Sequence, residues 1–197
     1  RFTRRLSLSG AVLTADYSVE NLSDQELPFM WALHALLAVT PEDSIELKDV
    51  ARVAASYIMR DGKPIIDHFL PWPEGSRDGG VALDAVQTSD AHFAAKLYVS
   101  DIPAARASVG GRLGWLDFKW SNRELRHLGL WLNYGGWPGR GDVHHVALEP
   151  TTAPVDHLGQ ALEQGTAVIL APGAISRWSV TLTLRPPATN QSSRTLR

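Results

Sequence analysis

The stretch ISRWSVTLTL, residues 175–184, has the strictest alternation in the chain. From Trp178 to Leu184 its apolar residues occupy every second position, and serine or threonine lies between them. Successive side chains of a β-strand point to opposite faces of the sheet. This pattern is therefore typical of a strand with one buried face.

The same period of two recurs along most of the chain. Residues 2–20 alternate in the same way and are interrupted at Ser9-Gly10, which predicts a β-hairpin. Residues 27–39 form a long apolar run that we interpret as a buried strand. Further strands are predicted at residues 93–99, 113–120, 129–134, 143–148 and 166–170. Because 16 glycines and 12 prolines leave little room for long helices, the sequence predicts an all-β fold.

Only one helix is expected, around residues 155–164, with Asp156 near its N-terminal end and Gly165 after its C-terminal end. The tail after Arg185 is polar, starts with two prolines and has no periodicity. A chain of this length suits one domain with a real core. We therefore expect one β-sandwich domain over residues 1–185 and a disordered tail over residues 186–197.

Composition excludes several classes of function. The 19 Lys and Arg against 21 Asp and Glu give no broad electrostatic reason to expect nucleic acid or a membrane surface as partner. With no cysteine, thiol nucleophiles, disulfides and Cys-based zinc sites are excluded. No apolar run is long enough to cross a bilayer or resembles a signal peptide, and we expect a cytoplasmic protein. The motifs of serine hydrolases, P-loop NTPases, dinucleotide enzymes and zincins are also absent, so His, Asp and Glu must carry any chemistry.

His34 interrupts the apolar run MWALHALLAV, on the face that it shares with Ala32, Leu36 and Ala38. A polar ring in such a run is either hydrogen-bonded in the core or functional. A satisfied core histidine is the plainer interpretation of this residue by itself. The small neighbours Ala32 and Ala38 leave room for a concavity above the ring.

The segment HHVALEP, residues 144–150, is predicted to be a strand in which His145 and Glu149 share one face. Glu149 precedes Pro150, which is expected to end regular pairing, so its carboxylate could project into a cleft. The alternative is a solvated or ion-paired residue at the end of the strand. His145 and Glu149 have the spacing of a metal pair on a helix, but strand context and the lack of a third ligand argue against a metal.

Aromatic residues supply candidate sugar contacts. Trp131 and Trp137 lie next to Asn133 and the turn GGWPGRG, and flat aromatic faces suit the C–H surfaces of sugar rings. The alternative is that tryptophans fill the core, which we prefer for Trp31, Trp115 and Trp178.

Three segments together resemble one family. YSVENLSDQELPFMWALHALLAV (17–39) resembles the part of aldose 1-epimerases, or galactose mutarotase-like proteins, that leads into the catalytic histidine. VALEPTTAPVDHLGQAL (146–162) is similar to the later part in which Leu-Glu-Pro carries the catalytic glutamate. PGAISRWSVTLTL (172–184) is similar to the closing strand of the family.

The resemblance implies a large antiparallel β-sandwich of the galactose mutarotase type. It implies that a small-molecule sugar is opened and reclosed by acid–base chemistry, with Glu149 as the base on O1, His34 as the acid at the ring oxygen, and neither cofactor nor metal. We expect the sugar to be contacted by His145, Trp131, Asn133, Trp137 and Arg140. Arg140, in the glycine-rich turn, is also the candidate contact for a phosphorylated sugar.

Members of this family are usually longer, and their earlier part supplies another histidine and an arginine to the sugar site. We therefore interpret the chain as a divergent member without that portion. Two alternatives stay open: a carbohydrate-binding sandwich without catalysis, and a structural sandwich in which His34 and Glu149 lie far apart. The distance between these two side chains separates the alternatives. The oligomeric state cannot be inferred from the sequence.

Overall fold

A computed structural model describes residues 1–75, 81–121, 123–139 and 143–187. These residues form an antiparallel β-structure with a single short α-helix and a 3-10 turn at Ser89–Ala91. The predicted all-β fold is thus confirmed. The strands are β1 (Phe2–Ser9), β2 (Val12–Glu20), β3 (Leu27–Phe29), β4 (Ser44–Leu47), β5 (Arg52–Arg60), β6 (Lys63–Pro64), β7 (Phe69–Pro71), β8 (Phe93–Val99), β9 (Arg106–Gly111), β10 (Gly114–Trp120), β11 (His127–Tyr134), β12 (His144–Thr151), β13 (Val168–Leu170) and β14 (Ile175–Arg185).

Two large sheets pack against each other as a sandwich. The first sheet has the strand order β1-β2-β14-β10-β9-β4, and the second has the order β12-β11-β8-β5-β6 with β7 also on β5. One apolar cluster fills the space between them, with Trp178 and Phe118 from the first sheet against Leu97, Leu130 and Leu148 from the second. The faces that the two sheets turn toward each other therefore form the core.

The local predictions for the first sheet hold. Strands β1 and β2 form the predicted hairpin, with Ser9 paired to Val12. Strand β14 lies between β2 and β10, and its alternating residues Trp178 and Val180 are buried in the core. A strand with neighbours on both sides and one face on the core needs this strict period of two.

The prediction of one buried strand over residues 27–39 is wrong. Only β3 is a regular strand, paired with β13, and the rest of the segment meets β12 at two isolated pairs, Ala32 with Thr151 and Leu37 with Val146. Pro150 has no backbone N–H, so a complete ladder cannot form along this edge of β12. Its carbonyl still accepts a hydrogen bond from the Leu33 backbone N–H at 3.1 Å.

Other boundaries also differ from the sequence-based ones, most clearly those of β12 and the helix. Strand β12 continues through Pro150 to Thr151, because Pro150 still lies opposite Leu128 of β11. The helix α1 (Leu158–Glu163) is shorter than predicted and is capped by the His157 ring, which accepts the Gln160 backbone N–H. Asp156 thus precedes the helix and is free for other contacts.

Residues 188–197, most of the expected tail, lie outside the described residues. Within the part that the structure describes, no helix is long and apolar enough to cross a membrane.

Candidate active site

A cavity of about 550 Å³ covers the face of the second sheet that points away from the first. Its floor consists of side chains from four neighbouring strands: Tyr57, Lys96, Tyr98, Trp131, His145 and Glu149. Its walls come from the extended segment beside β12 and from the loops at both ends of β12: Met30, Ala32, His34, Leu36, Trp137, Val155 and Asp156.

Strand register explains why His34 and Glu149 meet. The Ala32–Thr151 and Leu37–Val146 pairs are antiparallel, and counting inward from both places His34 opposite Glu149. Side chains of the segment around His34 still alternate between two faces, although its hydrogen-bonded ladder with β12 is incomplete. Leu33 and Leu37 pack on the core, while Ala32, His34 and Leu36 line the cavity. Neighbouring side chains on one face of a sheet lie within contact distance.

His34 Nε2 lies 3.3 Å from Glu149 Oε1. The Glu149 side chain is only 2% exposed, whereas that of His34 is 55% exposed and faces the open cavity. Glu149 Oε1 is buried and accepts no hydrogen bond from the described residues, so its capacity to accept one is unused. The geometry contradicts the alternative in which the two side chains are far apart.

Lys96 binds the other carboxylate oxygen of Glu149 and is not among the site residues predicted from the sequence. Lys96 lies on β8, two strands from β12 and opposite Trp131 of β11, and its ammonium reaches across β11 to Glu149. A Cβ at position 129 would lie 3.0 Å from Glu149 Oε2 and 3.3 Å from the Tyr98 ring. Glycine therefore leaves room for the Glu149 carboxylate beside the Tyr98 ring.

The sequence did contain a signal for Lys96. It is the one charged residue in the strand FAAKLYV, whose other residues are all buried. A lysine in a buried apolar strand is rarely tolerated without a partner. What the sequence could not supply was the identity of that partner.

Tyr98 ties the loop after β12 to the floor of the cavity. Its hydroxyl donates to Asp156 Oδ1 at 2.8 Å, and Ser56 donates to the other oxygen of the same carboxylate. Burial raises the pKa of Tyr98, and its hydrogen bond with Asp156 and the charges of Asp156 and Glu149 raise it further. Tyr98 is therefore a protonated donor across the physiological range.

Tyr57 reaches the cavity because of a β-bulge. Between Ala55, opposite Leu97, and Tyr57, opposite Lys96, strand β5 contains one extra residue, Ser56. A bulge changes the face to which the following side chain points. Simple alternation along β5 would have assigned Tyr57 to the core, so this contact could not be predicted from the residue pattern.

Trp131 and His145 form a fixed pair on the cavity floor. Trp131 Nε1 donates to His145 Nε2 at 2.9 Å. Burial lowers the pKa of His145, and the nearby His144 and His34 lower it further. His145 is therefore neutral at pH 7, which leaves Nε2 able to accept this hydrogen bond.

Asn133 is the one described candidate that does not line the cavity. It is fully buried, its amide donates to the Trp137 carbonyl at 2.8 Å, and its oxygen accepts the Trp137 backbone N–H at 3.2 Å. In this arrangement it positions Trp137 and has no face toward a sugar. Arg140 lies outside the described residues.

The polar groups of the cavity do not form a metal centre. Over the described ranges, no group of three or more His, Asp or Glu residues is placed to hold a metal ion. His145 and Glu149 therefore have no third ligand there. The contacts of Glu149 are instead an ammonium and an imidazole, groups suited to moving protons.

No family model matches the sequence, and no curated protein matches it. Solved structures match it by fold. A structure named "putative aldose 1-epimerase" from Klebsiella pneumoniae has a TM-score of 0.65 and 13% identity, and the match covers 94% of this chain and 50% of that one. For a galactose mutarotase related enzyme from Lactobacillus acidophilus the TM-score is 0.58, with 14% identity over 94% and 62% of the two chains. A TPR-domain containing protein from Parabacteroides distasonis has a TM-score of 0.65 and 12% identity, over 100% and 32%.

The chain has the galactose mutarotase-like fold. The resemblance stated from the sequence is thus confirmed for the architecture, and identities of 12 to 14% show the fold alone. The chain spans half to about six-tenths of the length of the two epimerase-like structures. The third match shows the same architecture as part of a much longer protein whose name refers to another domain, so the fold does not fix an activity.

Proposed function

We propose that this chain carries an aldose 1-epimerase-like site that interconverts the α- and β-anomers of a small-molecule sugar. The observation that carries the proposal is the 3.3 Å approach of His34 Nε2 to Glu149 Oε1 at the floor of an open cavity. A base and an acid side by side are what ring opening of a cyclic sugar requires. The chain spans only part of the length of the structures that share its fold. The activity is therefore proposed for the site formed by the described residues of this chain.

The reaction needs two proton transfers at one carbon. Glu149 takes the proton of the anomeric hydroxyl O1, His34 gives a proton to the ring oxygen O5, and the C1–O5 bond breaks to leave an open-chain aldehyde. Rotation about C1–C2 turns the other face of the carbonyl toward the hydroxyl. Reversal of both proton transfers closes the ring as the other anomer and restores both side chains.

The observed separation fits this chemistry. O1 and O5 are bonded to the same carbon, so a base and an acid that are close together in one cavity can reach both oxygens. Lys96 occupies Glu149 Oε2, which leaves Oε1 as the oxygen that faces His34. Ring opening starts from a carboxylate that can accept the proton of O1 and an imidazolium that can give a proton to O5.

A second candidate function is carbohydrate binding without catalysis. It is favoured by Trp137, which is 51% exposed at the rim of the cavity and offers a large aromatic surface. Aromatic platforms bind sugar rings whether or not an acid and a base are nearby. The two functions differ in whether Glu149 and His34 exchange protons with the ligand.

The test is anomer exchange measured by NMR saturation transfer on a panel of aldoses. Glu149→Gln keeps the shape of the side chain and removes the base, and we expect it to slow exchange by about 100-fold or more. Glu163→Gln, at an exposed position of α1, is the matched control and should exchange anomers at the wild-type rate. Saturable sugar binding without accelerated exchange in the wild type would refute the enzyme and favour the binding module.

A further inference from the structure

The cavity extends well beyond the acid–base pair. His145 and Glu149 line the same cavity from one face of β12 and are four residues apart, which is about 13 Å along a strand. A single pyranose ring is narrower than this backbone spacing. The cavity volume of about 550 Å³ has room for more than one such ring.

The part of the cavity away from Glu149 is aromatic. The Trp131 and Trp137 rings lie 6.0 Å apart at 81°, and the Tyr57 ring lies 6.2 Å from Trp131. We call these three residues the aromatic corner. Two nearly perpendicular indoles offer one surface below a ligand and one beside it, which is how aromatic side chains hold the apolar faces of a sugar ring.

The aromatic corner is held in place before any ligand arrives. Trp131 is fixed by its hydrogen bond to His145. The Trp137 backbone is fixed by two hydrogen bonds with the buried Asn133 side chain, which donates one and accepts the other. Asn133 lies opposite His145 in the sheet, so the two anchors are neighbours. Half-exposed tryptophans restrained in this way bind with little loss of side-chain entropy.

We propose that the aromatic corner is a second sugar subsite, and that the ligand is the reducing end of a disaccharide or longer oligosaccharide. This inference rests on the proposed function. Only the reducing ring carries a free anomeric hydroxyl, so that ring lies at Glu149 and His34 and the next ring stacks on Trp137 and Trp131. The three aromatic rings carry no formal charge and suit the apolar face of a neutral sugar ring.

The experiment compares anomer exchange of glucose with that of maltose and cellobiose. Trp137→Ala should lower kcat/KM for the better of the two disaccharides by about five- to tenfold more than it lowers kcat/KM for glucose. Trp115→Ala is the matched control, because Trp115 lies on β10 of the first sheet, packed under Arg185. Equal losses for glucose and the disaccharides, or a wild-type preference for glucose, would overturn the second subsite.

A titration separates this inference from the proposed function. If neither sugar shows accelerated exchange, calorimetric titration of glucose and the two disaccharides still tests the subsite. Tighter binding of a disaccharide, lost in Trp137→Ala and kept in Trp115→Ala, would support a two-ring site in a protein without catalysis. Equal affinity for one ring and two rings, or no binding of either, would refute it.

Discussion

The two faces of the second sheet are built from the same strands but have different roles, one in the core and one in the cavity. Leu130 points into the sandwich and is fully buried, whereas the next residue, Trp131, points out and lines the cavity. On β12, Leu148 and Glu149 differ in the same way. Packing on the core face fixes the positions of the strands. Because the strands are fixed, the reactive side chains on the cavity face are held at defined distances.

The largest difference in stability between the two faces is predicted for substitutions of the adjacent residues Leu130 and Trp131. Leu130→Ala should lower the free energy of unfolding by about 4 kcal/mol, because it leaves a cavity in the core. Trp131→Ala should cost only about 1 kcal/mol, since that ring is part-exposed. Urea unfolding measures both variants. Similar losses for the two would show that the two faces do not differ in this way.

Lys96 lies on the face of the second sheet that lines the cavity. Its replacement should nevertheless lower stability nearly as much as a cavity in the core does. Lys96→Met leaves the buried Glu149 carboxylate without its ammonium partner, and we expect stability to fall by about 3 kcal/mol. Adding Glu149→Gln should restore much of that loss, because no buried charge is then left unpaired. If the double variant is less stable than Lys96→Met, the ion pair is not the source of the effect.

At Gly129, the position of the Glu149 carboxylate on the cavity face depends on the absence of a side chain. Gly129→Ala puts a Cβ at 3.0 Å from Glu149 Oε2, and we expect stability to fall by about 1 kcal/mol while anomer exchange falls more steeply. Gly139→Ala is a control in open space, although its positive φ adds some backbone strain. A Gly129→Ala variant that exchanges anomers at the wild-type rate would show that the Lys96–Glu149 geometry is not needed.

The smallest effect is expected from pH. Burial lowers the pKa of His145 below its ordinary value of 6.5, so the folded protein favours the neutral ring. The resulting stability is complete above pH 6.5 and is lost as the pH falls through the lower folded-state pKa. Buried His127 shifts in the same direction, so the measurement is the difference between wild type and His145→Asn. A difference in unfolding free energy that does not change between pH 7.5 and pH 5 would contradict this role of His145.

Local patterns in the sequence predicted most strands, because a period of two is a property of neighbouring residues. The prediction for residues 93–99 matches β8, and the hairpin over residues 2–20 was also correct. The extended segment around His34 was predicted as a regular strand because the obstacle, Pro150, lies on another strand more than 100 residues away. A proline changes the pairing of its neighbour, and no local window contains both.

The site was accessible from the sequence only in part. His34 and Glu149 stood out because each is a polar residue in an apolar strand-like segment, and the family resemblance joined them. The partnership of Lys96 with Glu149 depends on strand order across β8, β11 and β12. The contribution of Tyr57 depends on a bulge. Both are properties of the assembled sheet rather than of any one strand.

The central claim is that His34 and Glu149 act as one acid–base unit across adjacent chain segments. The most direct test is a double-mutant cycle on the rate of anomer exchange with His34→Asn and Glu149→Gln. We predict that the double variant is no slower than the slower single variant, because removing either partner already disables the unit. The claim would be contradicted if the fold-losses in exchange rate of the two single variants multiply in the double variant. A wild-type rate equal to the uncatalysed rate would also contradict it.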